Sequence, residues 1–230
     1  MELFDAPDFH AHVLPLVDHG SDSVQTSLTQ LRMAREFGVS RVIATPHFYP
    51  HEHSVDEFLD IRDTAYKKLL AETTDRSLYP ELRLGCEVLF CEGISRLPRL
   101  DDFCIRGTKT LLLELPFSDF SPSYAIDVRN LISDGYRVVL AHANRYVTSS
   151  VECMLSAGAE IQLNADSLSG LFVSTRVKSW LSRGFVVAIG SDIHMTDSSA
   201  YKRFARALKR ISGFKSVLHE SDRIWNEAIL

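Results

Sequence analysis

Short apolar runs recur along the chain, and each is followed by a longer stretch in which apolar residues return every three or four positions. The runs have the length of buried strands, and the longer stretches have the period of amphipathic helices. Strands that alternate with helices in this way form parallel sheets. We count about seven such units. The predicted strands are Pro7 to Val13, Arg41 to Thr45, Leu82 to Val88, Thr110 to Leu115, Arg137 to Ala141, Glu160 to Asn164 and Phe185 to Gly190.

Polar residues and glycines mark where several helices begin and end. Ser54 and Glu57 have the spacing of a capping box, which predicts a helix from there to about Glu72. An apolar stripe predicts another helix that ends at Gly38, and it is formed by Leu28, Leu31, Ala34 and Phe37. Further helix ends are predicted at Gly135 and Gly184, and a last short helix from Ser221.

Seven units in 230 residues are too few for an eight-fold barrel, so the predicted fold is α/β with a distorted (β/α)7-type barrel. An open doubly wound sheet is the alternative, because the sequence alone does not show whether the sheet closes. The chain is 45% hydrophobic and has no linker, internal repeat or low-complexity segment. We therefore predict one domain over residues 1–230.

The charge balance argues against a nucleic-acid partner. The chain has 25 basic and 30 acidic residues, and no basic run with interleaved aromatic residues. Its first residues are acidic where a signal peptide is basic and then apolar, and no apolar stretch is long enough to span a bilayer. We expect a cytoplasmic protein without membrane insertion, and an oligomer is compatible with the sequence.

The cysteines do not predict thiol chemistry. They lack paired C-x-x-C zinc spacing, and a chain of this length needs no disulfides, so reduced thiols are expected. None has an arginine six positions later, the C-x5-R spacing by which a cysteine-dependent tyrosine phosphatase holds phosphate. The four residues are Cys86, Cys91, Cys104 and Cys153.

Metal-ligating side chains recur where the predicted strands end, which is where parallel β/α proteins bind ligands. His10 and His12 are two apart on a strand and share a face, and Asp192 and His194 do so too if that strand end stays extended. Imidazole together with carboxylate suits zinc, manganese or iron. The nine candidates are His10, His12, His19, His47, Glu87, Glu114, His142, Asp192 and His194.

Nine candidates exceed the needs of one ion, so a cluster of two or three ions with a bridging carboxylate is predicted. Such clusters generate hydroxide at neutral pH and clamp a phosphoryl group. A single histidine at a strand end is more often a hydrogen-bonded loop residue, and Glu114 could instead pair with an arginine. The metal interpretation rests on six of the nine histidines falling at one rim. His51 and His53 are interpreted as loop residues, and His219 as a surface residue.

Three other residues are candidates near this rim. Arg145 follows His142 by three positions, and its guanidinium fork could grip phosphate oxygens, although a surface salt bridge is the alternative. Asn164 ends the sixth strand and could orient a ligand or a water molecule from behind. Asp8 could act in the same way.

Taken as an ordered set, the motifs resemble the polymerase and histidinol phosphatase (PHP) superfamily, and within it the bacterial capsule-cluster tyrosine phosphatases of the CpsB/CapC type. The resemblance covers nearly the whole chain. It rests on D-F-H-A-H followed by V-D-H-G, then A-T-P-H, G-C-E-V, L-L-E-L-P, A-H-A-N-R-Y, Q-L-N-A-D-S-L-S-G and S-D-I-H.

The resemblance implies a distorted barrel with three ions, usually manganese (Mn2+), with iron or zinc as alternatives. It assigns the first ion to His10, His12, Glu87 and Asp192, with Glu87 bridging to a second ion that Glu114 and His142 complete. It assigns the third ion to His19, His47 and His194. Arg145 matches the phosphate-gripping arginine, and a phosphotyrosyl protein, including a bacterial tyrosine kinase, is the implied partner.

Three departures from the capsule phosphatases bear on specificity. His19 stands where they carry an aspartate, as in histidinol phosphatases, and Asn144 replaces an acidic neighbour of the arginine. An arginine that commonly follows their S-D-x-H motif is not evident after His194.

The predicted function is hydrolysis of a phosphate monoester by a metal-bound hydroxide, most simply by a protein-tyrosine phosphatase of capsular or exopolysaccharide regulation. A tyrosyl leaving group has a pKa near ~10 and needs little protonation. The alternatives are a histidinol-phosphatase-like enzyme that takes a small phosphate ester, and a metal-binding regulatory module without turnover.

Overall fold

Strands and helices alternate along the chain in a computed structural model, which describes residues 6–117, 120–211, 213 and 215–227. The strands are β1 (Asp8–Ala11), β2 (Arg41–Ala44), β3 (His47–Phe48), β4 (Glu81–Leu84), β5 (Glu87–Leu89), β6 (Thr110–Glu114), β7 (Arg137–Leu140), β8 (Glu160–Asn164) and β9 (Val186–Gly190). The helices are α1 (Val24–Glu36), α2 (Val55–Glu72), α3 (Tyr124–Ser133), α4 (Thr148–Ser156), α5 (Asp166–Ser169), α6 (Thr175–Ser182), α7 (Ala200–Ile211) and α8 (Lys215–Glu227).

All strand pairs are parallel and form two sheets, one in the order β1-β2-β4 and the other in the order β3-β5-β6-β7-β8-β9. The seven predicted strands are confirmed, but two of them are interrupted. β2 is separated from β3 by Thr45 and Pro46, and β4 is separated from β5 by Gly85 and Cys86. Both interruptions lie at the same level, so two neighbouring strands change sheet together.

The ring of strands closes between β1 and the residues after β9. Ala11 forms a parallel bridge with Ile193, and the amide of His12 donates to the carbonyl of Ile193 at 3.1 Å. The amide of Asp192 donates to the carbonyl of His10 at 2.8 Å. The fold is therefore the distorted barrel that the sequence predicts, and not the open sheet.

The predicted helix ends are confirmed at four positions. Ser54 begins α2, and its side chain accepts a hydrogen bond from the amide of Glu57. Gly38, Gly135 and Gly184 follow α1, α3 and α6, and their φ angles of 87°, 87° and 75° are open mainly to glycine.

The last helix begins earlier than predicted, at Lys215 and not at Ser221. Its buried residues include Val217, Ser221 and Ile224, which lie on one face. The small polar Ser221 obscures this stripe in the sequence.

α8 covers the amino-terminal end of the barrel. Ile224 and Trp225 pack with a group of buried residues from the strands that includes Phe9, Ile43 and Leu112. The guanidinium of Arg83 lies 4.2 Å from the centre of the Trp225 ring. One end of the barrel is thus filled by apolar packing, which leaves the carboxyl ends of the strands for chemistry. Among the described residues, no helix has the length and apolar character required to cross a membrane.

Candidate metal centre

The nine predicted ligands all lie at the carboxyl ends of the strands or in the loops that follow. Their donor atoms form three groups in which every atom lies within 4.8 Å of the others. The groups are His10, His12 and Asp192; His47, Glu87 and Glu114; and His12, His47 and His194. His142 and His19 lie beside these groups, at distances given below.

Glu87 lies at the centre and is completely buried. Its Oε2 atom is 3.0 Å from Nε2 of His10, 3.2 Å from Nε2 of His12 and 3.0 Å from Nδ1 of His47. Its Oε1 atom is 2.7 Å from Nε2 of His142. A carboxylate that faces four imidazoles can serve more than one ion.

Glu114 occupies the side of the cluster nearer the solvent. Its carboxylate oxygens lie 3.6 Å from Nε2 of His142 and 3.5 Å from Nδ1 of His47. It therefore faces the other ligands, and among the described contacts it has no arginine partner.

The interrupted strands bring His47 and Glu87 into the site. Both residues come directly after an interruption, and they are partners in the register of β3 and β5. Pro46 has no amide hydrogen and cannot continue the ladder of β2 as a donor. The shift of both strands at this level turns the first residue of each new segment toward the ligands.

The imidazole ring of His19 stacks on neighbouring histidine rings at the outer side of the cluster. The ring centre of His19 lies 5.0 Å from that of His47 and 4.6 Å from that of His194. His12 lies 4.1 Å from His194. His19 is exposed while His12 and His47 are buried, so this group extends from the interior to the surface.

Hydrogen bonds on the far side of two rings fix which nitrogens face the centre. Nδ1 of His12 lies 2.7 Å from the carboxylate of Asp18, and Nδ1 of His10 lies 3.2 Å from Oε1 of Gln162. Oε1 of Gln162 also accepts from the amide of His142, so it is the oxygen. Both rings therefore direct Nε2 toward the centre of the cluster, where the two Nε2 atoms lie 3.0 Å apart. The carboxylate of Glu87 faces the same two nitrogens at 3.0 and 3.2 Å, so these three groups could ligate one cation.

The electrostatics of the cluster favour cations. Burial opposes the ionisation of Glu87, but His10, His12 and His142 outweigh it and hold its pKa well below the usual range. Burial likewise opposes protonation of His142, yet hydrogen bonds to Glu114 and Glu87 raise its pKa to about 9. The carboxylates are ionised, and the site attracts positive charge.

Four buried atoms of this cluster make no directed hydrogen bond within the described part of the chain. They are Nδ1 of His47, Oε1 of Glu87, Nδ1 of His142 and Nε2 of His194. Burying polar atoms without partners costs free energy unless a ligand satisfies them. Together with the imidazole and carboxylate donor set, this fits divalent transition metals.

Two candidate ligands have backbone conformations that the sequence did not predict. Asp192 has a φ of 53° and His142 a φ of 31°, both in the left-handed region. The strand end is therefore not extended at Asp192, so the condition under which Asp192 and His194 would share a face by alternation is not met. A turn brings the Oδ1 atom of Asp192 within 3.6 Å of Nδ1 of His194 instead. Such strained residues concentrate at functional sites.

The two predicted orienting residues, Asn164 and Asp8, have different contacts. Nδ2 of Asn164 donates to Oδ2 of Asp192 at 2.7 Å. Asp8 is fully buried and accepts from the amide and hydroxyl of Ser191 at 2.8 and 2.6 Å. Burial raises the pKa of Asp8 to about 6. Its side chain binds Ser191 and the amide of His10, so it ties β1 to the residues after β9.

Sequence reasoning missed Asp18 and Gln162, which hold the rings of His12 and His10. Gln162 also donates to Asn164 at 3.1 Å, so one chain of hydrogen bonds runs from His10 through Gln162 and Asn164 to Asp192. A signal was present, because a ligating histidine needs a partner for its second nitrogen. Gln162 and Asn164 are also two apart on one strand and share a face.

Arg145 lies at the mouth of a cavity of about 540 Å³ that opens over the cluster. Its guanidinium is half exposed, and Nη1 lies 3.2 Å from Oδ2 of Asp192. The other wall residues that are not candidate ligands are Tyr49, Phe117 and Met195. An arginine in this position can reach an anion held over the ligands.

The remaining histidines and the cysteines lie outside the three groups of donor atoms that the described residues form. His51 and His219 are exposed and lie near Glu52 and Glu220, as expected for loop and surface residues. The four cysteines are unpaired thiols. Burial raises the pKa of Cys86 and brings that of Cys104 to about 12, so neither is a thiolate at neutral pH.

The family model described as capsular polysaccharide synthesis, CpsB/CapC, matches residues 6–214. Tyrosine-protein phosphatase YwqE of Bacillus subtilis is 32% identical over 178 residues, which are 72% of this chain and 66% of that protein. The chain thus spans slightly less than two thirds of this relative. Tyrosine-protein phosphatase CpsB of Streptococcus pneumoniae is 23% identical over 211 residues, 83% of this chain and 84% of that protein.

Solved structures support the fold. One from a study of YwqE and CpsB, described as unique metal-dependent tyrosine phosphatases, superposes with a TM-score of 0.73 at 22% identity and covers 97% of this chain and 93% of that one. A beta-aspartyl dipeptidase of Fervidobacterium islandicum has a TM-score of 0.54 at 13% identity, covering 96% and 75%.

Proposed function

The chain belongs to the CpsB/CapC family of capsular polysaccharide synthesis, and on this premise we propose that it is a metal-dependent phosphatase that hydrolyses phosphotyrosyl protein. The observation that carries the proposal is the buried cluster of imidazoles around Glu87, with Arg145 at the mouth of the cavity above it. The proposed substrate protein is a bacterial tyrosine kinase. The proposed role of the phosphatase is the regulation of capsular or exopolysaccharide synthesis, which is supported by the description of the family.

We propose that three ions are bound. His10, His12, Glu87 and Asp192 hold the first; Glu87, Glu114 and His142 the second; and His19, His47 and His194 the third. The distances around Glu87 support its bridging role. His47 lies 3.0 Å from Glu87 and belongs to two of the groups of donor atoms, so it could contribute to the second site as well as to the third. Manganese is the proposed metal, with iron or zinc as alternatives that the same donors accept.

When bound, divalent ions lower the pKa of water and neutralise charge on the phosphoryl group. The side chains supply the rest. Arg145 binds phosphoryl oxygens through its fork, and Asp192 holds the guanidinium at the cavity mouth. Asn164 and Gln162 fix Asp192 and His10, so the ligands are preorganised before the substrate arrives.

The substrate class is tested by comparing kcat/KM for a phosphotyrosyl peptide and for histidinol phosphate, with manganese-loaded protein. The relatives are named as tyrosine phosphatases, and a tyrosyl leaving group needs little protonation. We expect the peptide to be favoured by at least about tenfold, equivalent to one kcal/mol or a little more of transition-state binding. A preference for histidinol phosphate would contradict the substrate assignment, and absence of turnover on both would indicate a binding module.

Arg145→Ala should lower kcat/KM for the phosphotyrosyl peptide by about two to three orders of magnitude, the scale of losing one charged transition-state donor. Arg145→Lys keeps the charge without the fork and should fall between Arg145→Ala and the wild type. Metal content, measured by elemental analysis, should not change. Near-wild-type kcat/KM of Arg145→Ala on every ester tried would show that Arg145 is only a surface ion-pair partner.

The replacement of an acidic residue by Asn144 leaves Arg145 free of one partner. The side chain of Asn144 turns to β8 and accepts from the amide of Asn164 at 2.8 Å. The guanidinium of Arg145 forms its ion pair with Asp192 instead, so a substitution of Asp192 is expected to disturb the position of Arg145 as well.

A further inference from the structure

The mouth of the cavity carries an exposed aromatic ring that the metal centre does not use. Phe117 lies in the loop after β6 and is 66% exposed. Its ring is nearly parallel to that of His142, with an angle of 12° and a centroid distance of 6.1 Å. An aromatic group that covered this ring would remove apolar area of both groups from water, which is favourable.

Phe117 lies directly beside the proposed phosphate-binding residue. The guanidinium carbon of Arg145 is 5.7 Å from the centre of the Phe117 ring, and Tyr146 supports the same ring at 5.4 Å. A phosphoryl group bound by Arg145 would therefore place the group esterified to it within reach of the Phe117 ring.

Other walls of the same cavity are also apolar or aromatic. Tyr49 stacks on His47 at 5.0 Å with an angle of 20°, on the side of the cavity formed by β3. Met195 follows His194, is 42% exposed, and is held by a hydrogen bond from its amide to the carbonyl of Gly20. Together with Phe117, these side chains add flat and polarisable surface to the polar groups of the cavity.

We infer that Phe117 is the specificity-determining residue that receives the aromatic ring of the leaving group, so that aryl phosphates are preferred to alkyl phosphates. The inference rests on the proposed phosphatase function and adds the surface that selects its substrates. Ring contact exists in both the bound substrate and the transition state, so it acts mainly through KM.

Binding of two phosphonates tests the inference without turnover. Phenylphosphonate and methylphosphonate share the anionic group, and only the first has a ring. With manganese-loaded protein, calorimetry should show that Phe117→Ala weakens phenylphosphonate by about tenfold, the scale of an aromatic contact with its buried area. Methylphosphonate should change by less than about twofold. Kinetics should match, with a raised KM for para-nitrophenyl phosphate and an unchanged kcat.

Phe172→Ala is the matched control. Phe172 is 90% exposed in the loop after α5 and lines a different cavity, so removing its ring should leave both phosphonates unaffected. Equal weakening of both phosphonates by Phe117→Ala would overturn the inference, because the ring would then serve only to position Arg145 or His142. Unchanged affinity for both would overturn it as well. If the wild type binds the phosphonates but hydrolyses no ester, the proposed function fails while ring selection stands.

Discussion

Removal of metal should reduce the phosphatase activity by more than about a thousandfold, since bound ions supply several kcal/mol of charge stabilisation and no side chain replaces them. Manganese should restore activity, and iron or zinc should do so in part. Magnesium should restore little at equal concentration, because it prefers oxygen ligands in octahedral geometry and the donors here are mostly imidazoles. The measurement is hydrolysis of para-nitrophenyl phosphate after chelation and dialysis, with metal content determined in parallel.

The thermal stability of the folded protein provides a second measurement of metal binding. Without cations, the carboxylates of Glu87, Glu114 and Asp192 face one another in a buried site, so chelation should also lower the Tm. Undiminished turnover in protein shown to be free of metal would refute the metal-dependent mechanism. A lower Tm with full activity would assign the ions a structural role only.

Glu87→Ala should be far more damaging than Glu114→Ala. Glu87 contacts imidazoles from all three groups of ligands, at 2.7 to 3.2 Å, whereas Glu114 contacts two at 3.5 and 3.6 Å. We expect Glu87→Ala to lower kcat/KM by more than about a thousandfold and to release more than one ion, because its loss disturbs ions on both sides. Glu114→Ala should cost about ten- to a hundredfold and one ion.

Glu87→Gln is the control for folding, because it keeps the shape of the side chain and removes only the charge. It should fold with the same circular dichroism as the wild type and still lose metal. Equal metal content and activity in Glu87→Ala and Glu114→Ala would refute the bridging role of Glu87.

Much of the site could be predicted because strand geometry places it. Side chains two apart on a strand share a face, which brings His10 and His12 together, and parallel strands deliver their carboxyl ends to one rim. The strand positions followed from apolar runs flanked by polar residues, and these were long enough to be recognised.

The features that could not be predicted depend on contacts between residues far apart in the sequence or on the local backbone conformation. The shift at Pro46 and Gly85 requires two strands to change sheet together, and neither interruption alone reveals the other. The left-handed φ at Asp192 has no glycine to signal it. The contact of Asp8 with Ser191 could not be predicted for a related reason, since the two residues become neighbours only when the barrel closes.

Asp8 and Ser191 are 183 positions apart in the chain, and their hydrogen bonds lie beside the residues that join β1 to the end of the last strand. Contacts of such range are formed late and at an entropic cost that packing must offset. An ion held by His10, His12 and Asp192 would link the same two segments, and because it would bind the folded state, it would stabilise that state increasingly as its free concentration rises. The supply of metal would then govern the abundance of the protein as well as its catalytic activity, because chains in which these two segments separate are exposed to proteolysis.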